Sequence, residues 1–292
     1  MNDQLAALFA KRFIQRRDIK AVQIALPDKV IYTPDREIKP ERLGRYAPLG
    51  FQMNHLYQHL NGEATYGHYL LDADSNCRMF CFDIDLKAND DNFTGHWVPI
   101  DPYEEGMDES VWEANQQPVP FDPRASWLDR AHPSRAWTKM QFGMLARKLV
   151  SATLKELGSM PKFHGSVAAY SGNKGIHVYG FFDPIPAAQV RAAAHYVLEC
   201  TDDWQLERGE HIYQYKLQDP MLGYPNINLE VYPKQDDLGG KDLGNLLRLP
   251  LGKNLKNPGD PTFFLDLRTP AGVMMPHPDP VQLLESGDPY AD

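Results

Sequence analysis

Residues 80–86, FCFDIDL, place two carboxylates in an otherwise apolar run. In an extended strand alternate side chains share a face, so Phe82, Ile84 and Leu86 point to one side while Asp83 and Asp85 point to the other, with the Cα atoms of the two aspartates ~7 Å apart. Burying two like charges without compensation is costly, and a hard divalent ion such as Mg²⁺ or Mn²⁺ would relieve the repulsion. Taken alone, an edge strand whose polar face meets water explains the pattern equally well.

Glu230 has a similar setting in the stretch 228–232, NLEVY, where it stands between Leu229 and Val231. Its side chain is again isolated on the polar face of a predicted strand. Three carboxylates from two strands suffice to hold two ions ~3.5–4 Å apart for in-line phosphoryl transfer. One ion would lower the pKa of an attacking 3′-hydroxyl, and both would neutralise the charge of the transition state.

The stretch 171–177, SGNKGIH, has the composition of an anion-binding turn. Gly172 and Gly175 permit positive φ, so backbone N–H groups can converge on an anion. The side chains of the turn add a hydroxyl, a point charge and an imidazole, from Ser171, Lys174 and His177. This set suits a triphosphate, although the spacing is not that of a Walker loop. The alternative is a plain glycine hairpin in which the histidine belongs to the core.

A basic residue also interrupts the apolar run in residues 244–254, GNLLRLPLGKN. An unpaired guanidinium within a strand is costly, so Arg248 should meet either a carboxylate or a phosphate, and its fork suits both. Lys253 follows a Pro-Leu-Gly turn and could reach the same anion. A buried ion pair between Arg248 and an aspartate is the structural alternative.

The composition is that of an ordinary globular chain of 292 residues, with 42% hydrophobic and 24% charged residues. No run approaches the ~18 apolar residues needed to span a bilayer, so no membrane partner is expected. Three cysteines cannot form a disulfide framework, which predicts a reducing cytoplasm. For Cys77 and Cys81, whose C-x3-C spacing lacks a matching pair, buried thiols are favoured over a zinc site.

The charge is unevenly distributed along the chain. A net charge of −9 argues against a protein that coats long stretches of duplex DNA. Residues 87–116 hold eight acids and one base, whereas residues 11–20 hold five bases and one acid. A nucleic-acid-facing role for this second stretch and a solvated basic helix face are equally compatible with the pattern. The candidate nucleic-acid-binding residues are Lys11, Arg12, Arg16 and Arg17.

Strand and helix patterns intermix without βαβ repetition, which favours an α+β fold. We predict helices over 3–17, 51–60, 135–157 and 186–200, and strands over 21–26, 30–33, 166–171, 175–182, 227–233 and 245–251. Residues 65–71 and 78–86 are expected to pair around a polar turn. Residues 88–134 are predicted to be an irregular insertion, and the proline-rich stretch from Asn257 a surface tail.

The ordered motifs resemble the archaeo-eukaryotic primase superfamily, whose pattern is hydrophobic-D-x-D, then S-x-x-x-G-x-H, then an acid after a hydrophobic run. Here these are FDID at 82–85, SGNKGIH at 171–177 and LE at 229–230. The stretches at 59–85, 230–235 (EVYPKQ) and 244–252 (GNLLRLPLG) are similar to bacterial and phage primase-polymerases, including those of CRISPR-linked and conflict-system loci. The resemblance spans about residues 10–265, and the insertion after the first motif is longer than usual.

The resemblance implies one primase-polymerase catalytic domain over residues 1–292. An N-terminal αβ subdomain (about 1–75) would pack on an RRM-like catalytic part (76–265) that carries the insertion at 88–134, followed by a surface tail (266–292). Whether the chain is a fragment of a longer protein stays open. The implied metal ligands are Asp83, Asp85 and Glu230. The implied nucleotide-binding residues are Ser171, Gly172, Lys174, Gly175, His177, Arg248 and Lys253.

The implied activity is template-directed nucleotidyl transfer from NTPs or dNTPs by a DNA primase or DNA polymerase with two Mg²⁺ or Mn²⁺ ions. The expected partners are a single-stranded DNA template or primer-template, with a helicase or other replication or CRISPR components. Two alternatives are a non-catalytic nucleic-acid-binding replication factor that keeps the fold, and a metal-dependent nuclease. The phosphate-binding turn and Arg248 argue against the nuclease, which needs no triphosphate pocket.

Overall fold

The computed structural model describes residues 3–38, 46–48, 50–86, 96–97, 119–120, 135–216, 227–269 and 274–291. The helices within these ranges are α1 (Asp3–Phe13), α2 (Met53–Leu60), α3 (Arg135–Leu157), α4 (Ala187–Thr201) and α5 (Pro280–Ser286). The strands are β1 (Ala21–Ala25), β2 (Val30–Pro34), β3 (Arg36–Ile38), β4 (Tyr46–Pro48), β5 (Tyr66–Tyr69), β6 (Asn76–Leu86), β7 (His96–Trp97), β8 (Val119–Pro120), β9 (Phe163–Tyr170), β10 (Gly175–Pro186), β11 (Trp204–Arg208), β12 (Ile212–Tyr215), β13 (Ile227–Tyr232), β14 (Leu246–Arg248) and β15 (Phe263–Phe264).

A seven-stranded sheet forms the centre of the fold, in the order β11-β12-β13-β6-β10-β9-β15. Each of its pairings is antiparallel. Helices are therefore combined with antiparallel sheets, as the lack of βαβ repetition predicts. The strand that carries the two aspartates, β6, lies between β13 and β10.

The two faces of β6 differ in the way that the alternating sequence predicts. Phe82 and Ile84 are fully buried on the face that packs against α4. Burial of each such side chain contributes ~1.5–3 kcal/mol. On the opposite face, Phe13 of α1 packs edge-on against Tyr179, with ring centroids 5.1 Å apart. Asp83 and Asp85 thus lie on the side of the sheet away from α4.

A smaller sheet of four strands, in the order β14-β5-β1-β2, shares the hydrophobic core with the large one. Three of its strands come from the first 75 residues, and β14 comes from the segment after the third carboxylate. Within this sheet Arg248 of β14 lies opposite Gly67 of β5. The small sheet therefore carries a basic residue that is distant in sequence from the D-x-D motif.

The predicted pairing of residues 65–71 with residues 78–86 is wrong. Both strands form, but β5 pairs with β1 and β14, whereas β6 pairs with β10 and β13. Asp72 N–H donates to the Asn76 carbonyl at 3.0 Å and closes the polar turn, beyond which the chain crosses between sheets. Because both edges of β6 are occupied, no edge is left for β5.

Most of the other predicted elements are confirmed. The helices α2, α3 and α4 begin and end within about two residues of the predicted bounds, and α3 ends at Leu157 before Gly158. The first helix is shorter than predicted, because α1 ends at Phe13 and not at residue 17. The hairpins β1–β2 and β9–β10 also form, the second around the glycine turn. The insertion at 88–134 lies outside the described residues, apart from the short antiparallel pair β7–β8.

The predicted surface tail over 266–292 needs correction, because part of it belongs to the core. Leu283 and Leu284 of α5 are buried against α1. Asp279 caps the start of this helix, because its side chain accepts hydrogen bonds from two N–H groups of the first turn, a pattern that the surrounding prolines obscured. Arg12 donates to the carbonyls of Leu284 and Glu285, at 2.8 and 3.0 Å. The guanidinium thus fixes the C-terminal end of α5.

The three cysteines are free, with Cys77 and Cys81 buried in β6 and Cys200 exposed. Burial raises the pKa of the Cys77 thiol to about 12. Among the described helices, none combines the length and apolar character needed to cross a bilayer.

Candidate active site

The strand register brings the predicted acidic residues into two rows across three neighbouring strands. Asp83 pairs with Glu230 of β13 on one side and with His177 of β10 on the other. Asp85 occupies the next row on the same face. Directly opposed residues in antiparallel strands have their Cβ atoms ~4.5–5.5 Å apart and share a face. All three predicted carboxylates therefore project from one face of the large sheet.

Glycines in the 171–177 turn are required by close contacts. A Cβ on Gly175 would lie 2.2 Å from the Ile84 carbonyl oxygen and 2.3 Å from Asp85 Oδ1, so the carboxylate packs directly over this residue. Gly172 has φ +69°, in the left-handed region, and a Cβ there would meet Thr262 at 2.5 Å. The turn thus approaches both β6 and the segment after β14.

A cavity of about 270 Å³ opens beside these rows. Both sheets, the glycine turn and the segment after β14 contribute to its walls. Five predicted site residues line it: Asp83, Asp85, Ser171, His177 and Arg248. The structure therefore gathers the D-x-D motif, the glycine turn and the basic strand around one space.

Each of the three carboxylates has a basic partner. The contacts join His177 Nε2 to Asp83 Oδ1 at 3.2 Å, Lys174 Nζ to Asp85 Oδ2 at 3.5 Å, and Lys234 Nζ to Glu230 Oε2 at 2.6 Å. The Tyr179 hydroxyl lies 2.8 Å from His177 Nδ1, and when it donates there, Nε2–H points at Asp83. Across the part of the chain that the structure describes, no three His, Cys, Asp or Glu side chains converge tightly enough to surround one ion.

The environment separates the acidities of the two aspartates. Burial alone would raise the pKa of Asp83, but contact with His177 and the charge of Arg248 outweigh it, and the pKa is lowered. For Asp85, burial and then the neighbouring Asp83 charge raise the pKa to about 6. The repulsion between the two carboxylates therefore shows mainly in the raised pKa of Asp85.

Arg248 has no carboxylate of the described residues within ion-pairing distance. Its guanidinium donates to the Ser171 carbonyl at 2.6 Å and lies 3.4 Å from the Gly252 carbonyl. The alternative of a buried ion pair with an aspartate is therefore not seen in the described ranges. A cation held by carbonyl oxygens at the wall of a cavity is suited to an anionic ligand.

Comparison with protein-family profiles matches residues 4–288 to the family described as TOTE conflict system, Archaeo-Eukaryotic Primase domain. The chain belongs to this family. The match covers nearly all of its length and confirms the resemblance inferred from the motifs. No curated protein sequence matches the chain significantly. Membership associates this archaeo-eukaryotic primase domain with a primase- or nucleotidyltransferase-like role and with nucleotide and nucleic-acid binding.

The remaining predicted site residues of the primase domain lie outside the cavity lining. They are Glu230, Gly172, Lys174, Gly175, Lys253, Lys11, Arg12, Arg16 and Arg17. Lys253 is fixed through its carbonyl, which accepts a hydrogen bond from the Thr65 hydroxyl. Arg16 pairs with Asp18 at 2.5 Å and donates to the Asp242 carbonyl, so this side chain and Arg12 have intramolecular partners. Lys11 and Arg17, at the end of α1 and just beyond it, do not line the cavity either.

Sequence reasoning missed several residues of the cavity wall. Asn254 donates to the Ser171 carbonyl at 3.0 Å, and Lys256 lines the cavity two residues further on. Both follow the Gly252 turn, where the sequence analysis favoured Lys253 instead. Gln23 and Tyr32 enter from the β1–β2 hairpin, and nothing in their local sequence pointed to the site. The other missed lining residues are Asn173, Tyr232, Leu246 and Leu247.

The donor set of the primase domain fits a hard divalent cation in its chemistry. Carboxylate and amide oxygens are the ligands that Mg²⁺ and Mn²⁺ prefer. Asn228 stands in the row of Asp85, and its Oδ1 is buried without a hydrogen-bond partner among the described residues. Asp83, Asp85 and Glu230 supply the charge on the same face. Such a cation would have to displace the basic side chains that contact the three carboxylates.

The raised pKa of Asp85 predicts a stability gain on removal of its charge. The pKa is about 6 in the folded protein and ~3.9 in an unfolded chain, so ionisation destabilises the fold as pH rises through this range. Asp85→Asn should raise the free energy of unfolding by about 1 kcal/mol at about pH 7.5, a figure reduced for the partial exposure of the side chain. The gain should disappear near pH 4, where the wild-type side chain is protonated.

The measurement is denaturant unfolding of both proteins in EDTA at the two pH values. Asp183→Asn is a matched control, because Asp183 is exposed, lies outside the cavity lining and pairs with His164. An equal gain at both pH values, or none at either, would contradict the assignment.

Proposed function

We propose that this primase domain is a template-directed nucleotidyltransferase, a DNA primase or DNA polymerase that adds nucleotides from NTPs or dNTPs. One observation carries the proposal: the D-x-D motif and Arg248, which has no carboxylate partner among the described residues, line one cavity. Carboxylates and a guanidinium that line the same cavity suit an anionic substrate that binds together with divalent cations. A nucleoside triphosphate has this character.

The triphosphate tail would lie between the glycine turn and β14. Arg248 and Asn254 both hold the Ser171 carbonyl, which fixes the turn against the small sheet. The remaining guanidinium N–H groups and the Lys256 ammonium would donate to phosphate oxygens. The Ser171 hydroxyl lines the same wall. The site thus binds and orients the tail before reaction.

Asp83, Asp85 and Glu230 would hold two Mg²⁺ or Mn²⁺ ions, which when bound would lower the pKa of the attacking hydroxyl and neutralise phosphate charge. In the reaction a 3′-hydroxyl oxygen bonds to the α-phosphorus, the bond from this phosphorus to the β-phosphate oxygen breaks, and pyrophosphate leaves. The hydroxyl proton passes to solvent. His177, held by Tyr179, keeps Asp83 ionised and oriented towards the reacting groups.

We assign the seven-stranded sheet with α3 and α4 to the RRM-like catalytic part, and the small sheet with α1 and α2 to the N-terminal subdomain. A single-stranded DNA template or primer-template would lie at the cavity mouth, where single strands commonly meet basic side chains and stacking platforms. Because Arg12 and Arg16 have intramolecular partners, Lys11 and Arg17 are the residues of the α1 stretch that we retain as template contacts.

Arg248→Met should weaken nucleoside triphosphate binding at least about tenfold, because a charge-assisted contact to phosphate is lost. The turn should stay in place, since Asn254 still donates to the Ser171 carbonyl. Isothermal titration of the full chain with a triphosphate and Mn²⁺ measures the effect. Arg208→Met, on the exposed strand β11, is the control and should bind as the wild type does. Equal affinity of the Arg248 variant and wild type would remove this residue from the triphosphate site.

A further inference from the structure

We propose that Lys234 is a built-in counter-cation of Glu230, one that a divalent ion must displace and that thereby sets the concentration of divalent ion the site requires. The inference rests on the proposed function, in which Glu230 is a cation ligand. Lys234 belongs to the EVYPKQ stretch that follows the third carboxylate.

The geometry around Lys234 is that of a cation-binding position. Its Nζ lies 2.6 Å from Glu230 Oε2 and 4.6 Å from the centroid of the Tyr232 ring. The Tyr232 hydroxyl donates to the same carboxylate oxygen at 3.1 Å. A carboxylate and the face of an aromatic ring both attract a positive charge. The ammonium therefore lies where an ion bound to this carboxylate oxygen would lie.

Lys234 is anchored by its backbone and not by its charged end alone. Its N–H donates to Asn245 Oδ1 at 2.7 Å, which ties the main chain to the residue that precedes β14. The four-carbon stem can then rotate while the backbone stays fixed. Displacement of the ammonium consequently does not require the strand to move.

The strand register indicates that the Lys234 ammonium and a divalent ion cannot both contact the Glu230 carboxylate. Glu230 lies directly opposite Asp83, so an ion that bridges these two paired residues needs the Glu230 carboxylate. Two positive charges at contact distance from one carboxylate oxygen repel each other strongly. His177 and Lys174 contact the other two carboxylates at 3.2 and 3.5 Å, both longer than the Lys234 contact. Of the three basic side chains, Lys234 therefore lies closest to its carboxylate partner.

Mn²⁺ binding to the full chain, measured by titration calorimetry and by electron paramagnetic resonance of free Mn²⁺, tests the proposal. Lys234→Met should tighten Mn²⁺ binding about tenfold, because a competing charge at contact distance is removed. Lys216→Met is the matched control, since Lys216 forms an equally short ion pair with Asp202, outside the cavity lining. It should leave Mn²⁺ affinity unchanged. Thermal unfolding of each variant verifies the fold.

A second background separates direct competition from a general charge effect. In Glu230→Gln, Lys234→Met should no longer tighten Mn²⁺ binding, because its carboxylate partner is absent. Equal tightening in both backgrounds, or none in the wild-type background, would overturn the role of Lys234 while leaving the cation site in place. If neither the wild type nor Lys234→Met binds Mn²⁺, the proposed function loses its cation site and this inference falls with it.

Discussion

Asp83→Ala should lower the rate of nucleotide incorporation at least about a thousandfold while the protein stays folded. Asp83 occupies the middle of its row, between Glu230 and His177. Its truncation therefore removes the carboxylate that lies next to both of these residues. The fold should survive because the side chain lies at the cavity wall and its loss relieves repulsion with Asp85. Incorporation of a labelled nucleotide on a primed template, together with a thermal unfolding curve, measures both effects. Asp85→Ala is expected to behave in the same way.

Asp183→Ala provides the matched control for this loss. Asp183 lies on β10, as His177 does, but it is exposed and pairs with His164. Its substitution should leave incorporation within about twofold of wild type, as surface changes away from a site usually do. A well-folded Asp83 variant with full activity would refute the assignment of the catalytic carboxylates.

Gly175→Ala should both destabilise the fold and abolish activity. The added methyl group would lie 2.2 Å from the Ile84 carbonyl oxygen and 2.3 Å from Asp85 Oδ1. Either β10 must separate from β6 or the carboxylate must rotate away, at a cost of about 2–4 kcal/mol. Because the glycine does not have positive φ, the effect is steric and not conformational. Denaturant unfolding gives the stability change, and the incorporation assay gives the loss of activity.

Gly259→Ala is the control for this substitution. A Cβ at Gly259 would meet nothing within 4 Å, and this glycine does not have positive φ either. Stability should change by less than about 0.5 kcal/mol. If the two variants unfold alike, the close contact between Gly175 and Asp85 is not a feature of the folded protein.

The alternating pattern of residues 82–86 predicted correctly that the three apolar side chains are buried and that Asp83 and Asp85 share the other face, where they line the cavity. This succeeds because strand periodicity is local and strong. The positive φ of Gly172 agrees with the glycine turn that the sequence predicts, whereas Gly175 does not have positive φ and is required by its contact with β6. Family membership, inferred from the order of three weak motifs, is confirmed by the match over residues 4–288.

Pairing between distant strands could not be read in the same way. Residues 65–71 and 78–86 look like a hairpin, yet β5 and β6 belong to different sheets because β10 and β13 occupy both edges of β6. The pairing of β14 with β5 likewise depends on the whole fold. Tyr32 reaches the cavity only through this arrangement, so its local sequence carries no signal of a site.

The hydrogen-bond and ion-pair partners of individual side chains could not be predicted from the local sequence either. The basic residues near α1 looked like a surface for nucleic acid, but Arg12 holds the end of a helix formed 272 residues later in the chain. Lys234 pairs with Glu230 four residues away, a contact that depends on the path of the chain beyond β13. Such partners follow from packing and register, which no short window of sequence contains.

Single-nucleotide incorporation on DNA templates of defined sequence tests the central claim most directly. The full chain is given a primed or unprimed single-stranded template, Mg²⁺ or Mn²⁺, and one labelled NTP or dNTP at a time. We predict that product forms only with the nucleotide complementary to the first template base, and that pyrophosphate is released in equal amount. A shortened primer would indicate a nuclease, and template binding without any product would indicate a non-catalytic factor. Either result would contradict the proposed nucleotidyl transfer.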